Sequence, residues 1–379
     1  MALTYTVSRR GVVTVLTVAL WCLWRYDSRL WTAFLGDTGG DALHVQQRVD
    51  ITPSSSNDSV VISQSVTYVI ASVKRDNLSW TEHLKVHPGD EIVVYVADDL
   101  GAKYHPPVNK GRESMQYLSY FIENYATLPE VMIFIHAGQM SWHNPFLLQH
   151  DLQQMMKVLR RNYIVEKGFV NLQCDWGHGC PDFLQMNVSA VKGRSLYHQT
   201  RNAQDAFAEL FPGQSMPNSL AVPGGGQFAV TRDLVHRIPL ERFLFFRSWL
   251  MESSLDSYQA GQIFEFFWHM MFLGISASQL CPTEPVCYCQ QYGVCLGSSD
   301  GTSDAAENEL HRLKYLGPRR DKQQLSLDYL KAWWEDRAGA SSYGERRHVR
   351  SRMSLLEEEL HLLKQTWDDI LTRAIEHNT

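Results

Sequence analysis

Val131 to Asn144 reads VMIFIHAGQMSWHN, an apolar run that ends in groups able to do chemistry: His136, Gln139, Trp142, His143 and Asn144. Imidazoles ligate metals or move protons, and an indole offers a flat face for stacking. A second constellation lies in AGQIFEFFWHMMFL, where Glu265 and His269 stand four residues apart and so project from one helical face. That pair could supply a general base and a metal ligand, or a carboxylate that orients an imidazole. Each feature has a plainer alternative: a hydrogen-bonded core histidine, a packed tryptophan, or an amphipathic helix whose polar pair is satisfied internally.

The elements around these residues alternate. Short apolar runs at Thr67 to Val73, Glu91 to Asp99, Val131 to Ala137 and Gly168 to Cys174 read as strands. Glu113 to Tyr125 and Leu147 to Asn162 read as helices, and with a further helix expected between the first two strands the order is β-α-β-α-β-α-β. Strands separated by helical patterns imply βαβ units and a mostly parallel sheet. Ligands in such sheets collect beyond the carboxyl ends of the strands, which puts the VMIFIHAGQMSWHN turn on the floor of a site. Pro181 to Pro223 reads as a long loop region with helical pieces. After it, Gly224, Gly225 and Gly226 permit close backbone approach, and Gln227 opens a further strand, QFAVT. The Gly-x-Gly-x-x-Gly and P-loop patterns are absent here. Beyond Leu296 the composition turns charged and helical, and Arg350 to Ala374 carries an apolar stripe suited to docking on the domain, a short coiled coil or oligomerisation.

The 379 residues are enough for one large domain or two average ones. A net charge of −6 offers no basic surface for nucleic acid. Residues 11–24, GVVTVLTVALWCLW, form an uncharged run with Arg9 and Arg10 before it and Arg25 after it. It reads as a signal anchor, with the basic end cytoplasmic and the rest lumenal; a cleaved signal peptide and a secreted product are the alternative. Six cysteines follow it, Cys174, Cys180, Cys281, Cys287, Cys289 and Cys295. Their spacings lack the paired C-x-x-C of a structural zinc site, so they read as disulfide candidates with the pairing open. Asn57, Asn77 and Asn187 open sequons for glycosylation. The resulting layout is an anchor over residues 1–25, a stem over 26–65, an α/β domain over 66–297 and a charged helical extension over 298–379.

The segments ASVKRDNLSW, YVADD, NKGRESMQYLSYFIENYATLPEVMIFIHAG with SWHN, GFVNLQCDWGHGCP, GGGQFAVTRD, FEFFWHMMF and CPTEPVCYCQQYGVC resemble a fungal family known as domain of unknown function 3431, over roughly Thr67 to Cys295. That family is similar in outline to GT-A glycosyltransferases: anchor, stem, Rossmann-like half, then acceptor-side half. The resemblance implies a Rossmann-like, mostly parallel sheet flanked by helices, a disulfide-bearing C-terminal part and a helical tail. One departure stands out. A GT-A enzyme usually holds a divalent metal and the donor diphosphate with Asp-x-Asp, a motif this chain lacks.

Three functions follow as expectations. The first is a Golgi or endoplasmic-reticulum glycosyltransferase using a nucleotide sugar. Asp98 and Asp99 would bind nucleotide or metal, and Arg75 and Lys110 the diphosphate. Trp142 would stack on a sugar, Asn144 and Gln227 would join the substrate contacts, and Glu265, with His269 beside it, would deprotonate the acceptor. Asp99, His136 and His143 are the candidate ligands for a divalent ion, manganese or zinc. The second is a metal-dependent hydrolase built on His136, His143, His269 and a carboxylate. The third is a non-catalytic lumenal binding protein.

Overall fold

A computed structural model of the chain describes residues 65–376 apart from 85, 86, 176, 178, 181, 182, 188–195, 223, 278 and 279. All of them fall within the unit Asp50–Thr379. The strands are β1 (Val66–Ser72), β2 (Glu91–Val96), β3 (Val131–His136), β4 (Phe169–Asn171), β5 (Leu184–Gln185), β6 (Ser219–Leu220) and β7 (Phe228–Thr231). The main sheet has the order β2-β1-β3-β7-β4, and β5 and β6 form a separate two-stranded piece. β1 pairs in parallel with β2 and β3. β7 is antiparallel to both β3 and β4, so one reversed strand interrupts a mostly parallel sheet.

The helices are α1 (Glu113–Asn124), α2 (Leu152–Val158), α3 (Arg161–Lys167), α4 (Tyr197–Leu210), α5 (Arg232–Val235), α6 (Leu240–Glu252), α7 (Ser257–Leu273), α8 (Glu284–Tyr292), α9 (Asp304–Arg337) and α10 (Tyr343–Glu376). Alternate strand residues face opposite layers. Val69, Met132, Phe134, Phe228 and Val230 join one core with residues of α1, α4, α6 and α7. Tyr68, Ile70, Ile133, Ile135 and Ala229 join the other with residues of α2, α3, α8, α9 and α10. Burial on both faces explains why the strand runs are apolar throughout instead of alternating.

Two sequence expectations are corrected. Among the described residues no α-helix joins β1 to β2; a single 3-10 turn, Ser79–His83, takes its place. The segment holds Asn77 and Pro88-Gly89, leaving too few uninterrupted residues for a packed helix, and the Trp80 indole instead donates to the Ala137 carbonyl. The helix expected over Leu147 to Asn162 is broken. Gln149 and His150 take φ of 58° and 57°, which ends the first turn, and Asp151 then caps α2 by accepting from the Gln153 amide.

The six cysteines form three bridges: Cys174–Cys287, Cys180–Cys281 and Cys289–Cys295. Two of them tie the segment after β4 to the region of α8, more than a hundred residues away. Such bridges persist in an oxidising secretory or extracellular setting. Asn77 and Asn187 are exposed, whereas Asn57 lies outside the described residues. The apolar run 11–24 also lies outside them; no described helix is long and apolar enough to cross a membrane.

The C-terminal extension docks and pairs at once. Leu310 and Leu313 of α9 and Trp367, Ile370 and Leu371 of α10 complete the second core. Farther out, Leu327, Leu356 and Leu360 form a small cluster between the two helices, bordered by the Arg319–Glu359 and Lys331–Glu357 ion pairs.

Candidate functional site

Small residues set the position of the cleft. Gly111 precedes α1 and Gly261 lies inside α7, and a Cβ on Gly261 would stand 2.7 Å from the Gly111 carbonyl oxygen. A glycine in a helix interior costs roughly 1 kcal/mol against alanine, and here it admits the backbone crossing. The Gly111 amide donates to Ser257 Oγ and the Ser114 hydroxyl to the Gly261 carbonyl, which fixes the crossing. Glu113 is the first residue of α1, and Glu265 lies one turn beyond Gly261 on the same face. The two carboxyl groups therefore meet within hydrogen-bonding reach.

Glu265 faces a cleft of about 140 Å³ whose walls include Arg112, Trp142, His143, Asp175, Tyr258 and Gln262. Trp142 and Tyr258 are 61 % and 51 % exposed at its rim, the Trp142 ring lying 3.8 Å from that of His143. The Arg112 guanidinium lies 4.5 Å from the centre of the Tyr258 ring. Arg112 itself has φ of 52°, a strained backbone for a residue with a side chain. Asp175 is held from behind: Phe146 N and Tyr288 OH donate to it at 2.7 and 2.9 Å, and Lys314 of α9 lies 4.0 Å away.

The glycine run does what the sequence suggests. A Cβ on Gly225 would collide with the His143 ring, and Gly226, at φ 77°, lies between Glu113, Glu265 and His136. His136 ends β3 with its ring 4.8 Å from that of His143, and His143 Nδ1 contacts Ser141 Oγ at 3.0 Å.

Electrostatics follow from this packing. Burial raises the Glu113 carboxyl above its ordinary range. It raises Glu265 much further, with the neighbouring Glu113 charge adding to the rise and Arg112 opposing it. Burial, with His143 and Arg112 alongside, lowers His136 to about 3. In the unfolded chain that imidazole would titrate near 6.5, so between the two values the unfolded state binds more protons. The stability it contributes is complete above about 6.5 and is lost as pH falls toward 3. Melting temperature is expected to drop more steeply from about pH 7 to about pH 4 in the wild type than in His136→Gln; equal slopes would contradict this burial effect.

The sequence-derived residues divide sharply. Glu265, Trp142 and His143 come together at the cleft, with His136 directly behind. His269 is 1 % exposed and lies in the core, outside the cleft lining. Asn144 and Gln227 are buried struts: Gln227 accepts from the His136 amide and donates to Asn144 Oδ1, while Asn144 donates to the Gln139 and His150 carbonyls. They shape the turn that carries Trp142 and His143. Lys110 donates to the Met251 and Ser253 carbonyls at the end of α6, an ordinary helix-end role for a cation.

Asp98, Asp99 and Arg75 stand apart, beyond the ends of β1 and β2. Asp98 accepts from the Lys74 amide, Asp99 pairs with the Lys74 ammonium at 3.2 Å, and Arg75 is exposed. Asp99 is thus not brought to His136 and His143. Among the described residues no group of three or more His, Cys, Asp or Glu side chains is placed to hold a metal ion. Sequence reading missed Arg112, Glu113, Asp175 and Tyr258. The usable signal was a glycine two residues before Glu113 and another four before Glu265.

The sequence profile described as "Protein of unknown function (DUF3431)" matches residues 68–290, which include every strand of the sheet but part of β1 and every cleft residue named above. The chain belongs to the DUF3431 family. No curated protein and no solved structure matches it. The matched segment ends within α8, so the α9–α10 hairpin lies outside the span that matches the DUF3431 profile.

Proposed function

We propose that the cleft is the sugar-binding and proton-accepting site of a secretory-pathway glycosyltransferase with a GT-A-like outline. The observation that carries this reading is Glu265, a half-buried carboxylate with a raised pKa, facing a small cleft between two exposed aromatic rings. Aromatic faces suit the apolar side of a sugar ring, and a carboxylate whose proton affinity burial has raised is a stronger base for a hydroxyl proton. A volume of about 140 Å³ is well below the roughly 300 Å³ at which drug-sized pockets begin, so it takes one ring and not a whole nucleotide sugar. The nucleotide would extend over the ends of β1 and β2, toward Lys74, Arg75, Asp98 and Asp99. A divalent ion there would be shared between an aspartate and the donor phosphates.

Hydrolysis by a separated carboxylate pair fits less well. Glycosidases hold their two carboxyls roughly 5–9.5 Å apart, whereas Glu113 and Glu265 lie within hydrogen-bonding reach of each other. The reading is tested by thermal shift against a panel of nucleotide sugars and their free sugars. One donor class is expected to raise the melting temperature, and Trp142→Ala to weaken that binding about two- to tenfold, the range for a lost ring contact. No shift with any donor, or a shift that Trp142→Ala leaves unchanged, would contradict the cleft as the sugar site.

A further inference from the structure

One wall of the cleft carries a carboxylate that the transfer step above does not use. Asp175 follows β4 and lines the cleft, with its side chain only 13 % exposed. Three separate segments direct hydrogen-bond donors at it. Phe146 N reaches Oδ2 at 2.7 Å, Tyr288 OH of α8 reaches Oδ1 at 2.9 Å, and the Lys314 ammonium of α9 stands 4.0 Å from Oδ1. These groups are held in turn. Lys314 also pairs with Glu284 at the start of α8. The Phe146 ring packs against Trp367 of α10 and fills the space beside Gly317 of α9, where a Cβ would collide with it. Burial raises the Asp175 carboxyl, and Phe146 N, Lys314 and Tyr288 OH oppose the rise.

An ionised carboxylate accepts about four hydrogen bonds, so one close donor on each oxygen leaves about one further position on each. Gln173 fixes where those positions fall. Its side-chain amide donates to the Trp142 carbonyl at 3.3 Å and accepts from the Asp175 amide at 3.2 Å, which ties Asp175 to the residue whose indole stands at the rim. Pockets for small molecules take their orientation from a few such fixed polar groups set among apolar and aromatic walls.

Resting on the sugar-binding reading of the cleft, we propose that Asp175 is a specificity-determining residue: it accepts both hydroxyls of a vicinal diol, one on each carboxylate oxygen, from the sugar ring stacked on Trp142. Adjacent hydroxyls present two donors side by side, as the fork of an arginine does, and a carboxylate receives such pairs with both oxygens. The nearby Lys314 ammonium already balances the carboxylate charge, which favours neutral hydroxyls over the ammonium of an amino sugar. Lys314, Gly317 and Trp367 lie beyond the segment that matches the family profile, so the C-terminal hairpin completes this wall of the cleft.

Calorimetry on the purified, disulfide-intact protein tests this, with the methyl glycosides of glucose, galactose, mannose and N-acetylglucosamine and their monodeoxy analogues as probes. One parent glycoside should bind. Deleting either hydroxyl of one adjacent pair should weaken binding about 10- to 100-fold, the range for a hydrogen bond to a charged group. Asp175→Ala removes both acceptors and should bind the parent and those two analogues with equal, weak affinity. Should that variant fail to fold, Asp175→Asn keeps the volume with one acceptor fewer, and its discrimination at one or both hydroxyls of the pair should shrink about tenfold. A wild type that binds every analogue as tightly as the parent, variants that keep the wild-type discrimination, or no binding of any glycoside would overturn the diol anchor. Diol-dependent binding that needs Asp175, in a protein that releases no nucleoside diphosphate from any donor, would support the anchor and remove the transfer reading alone.

Discussion

Glu265→Gln is expected to lower the transfer rate by about 10²- to 10⁴-fold, the contribution of a positioned general base. That loss corresponds to roughly 3–5 kcal/mol of transition-state stabilisation. The substitution keeps the side-chain volume and the contacts along α7 while removing the only carboxylate that both lines the cleft and touches a second carboxyl among the described residues. Stability should therefore hold, and with the buried charge gone it should improve toward alkaline pH. Substrate KM should change little, since the proton is accepted in the transition state and not in the ground state. Comparing kcat, KM and melting temperature for wild type and Glu265→Gln separates this from a folding defect. A variant with wild-type turnover would remove Glu265 from the chemistry.

Asp90→Ala is expected to have the largest effect on folding. Its side chain is wholly buried and forms a two-pronged ion pair with Arg161 at 2.7 Å, with Val66 N and His87 N also donating to it. Burial would raise this carboxyl, but Arg161 and the backbone donors outweigh it and hold it below the usual range. The pair locks the start of β1 and the turn before β2 to α3, where Arg161 also reaches Tyr68 OH. Truncating one partner leaves the guanidinium buried without its counter-charge, at a cost of about 3–5 kcal/mol. Against a typical total of about 5–15 kcal/mol that is a large fraction. Urea unfolding of the disulfide-intact protein should show the midpoint falling with little change in slope. A loss under about 1 kcal/mol would mean that Arg161 finds water or another partner.

The β-α alternation was legible because both faces of the sheet are covered, which writes strands as unbroken apolar runs. The turn from His136 to Asn144 was legible as chemistry, but its division of labour was not. Asn144 and Gln227 look like ligand contacts in sequence, and only the fold reveals that they are spent on each other and on the backbone of that turn. His269 shares a helical face with Glu265, yet the helix turns it into the core. Glu113 was hidden for a different reason. In sequence it is an acidic residue opening an amphipathic helix, a common arrangement near a helix N-terminus. Its partner is 152 positions away and is reached because Gly261 lets α7 approach the backbone at the start of α1, while Gly111 makes room there for Leu250 of α6. Pair interactions of that range leave no local pattern beyond a glycine such as Gly261 inside a helix. The reversed strand β7 was likewise invisible in direction, since four buried residues, three apolar and a threonine, read as strand both ways.

The most direct measurement is release of nucleoside diphosphate from a panel of nucleotide sugars by the purified, disulfide-intact protein, run beside Glu265→Gln. Consumption of one donor class that disappears in Glu265→Gln, while its melting temperature is retained, is the predicted result. Consumption that Glu265→Gln leaves untouched, or none with any donor, would contradict a transfer site at this cleft.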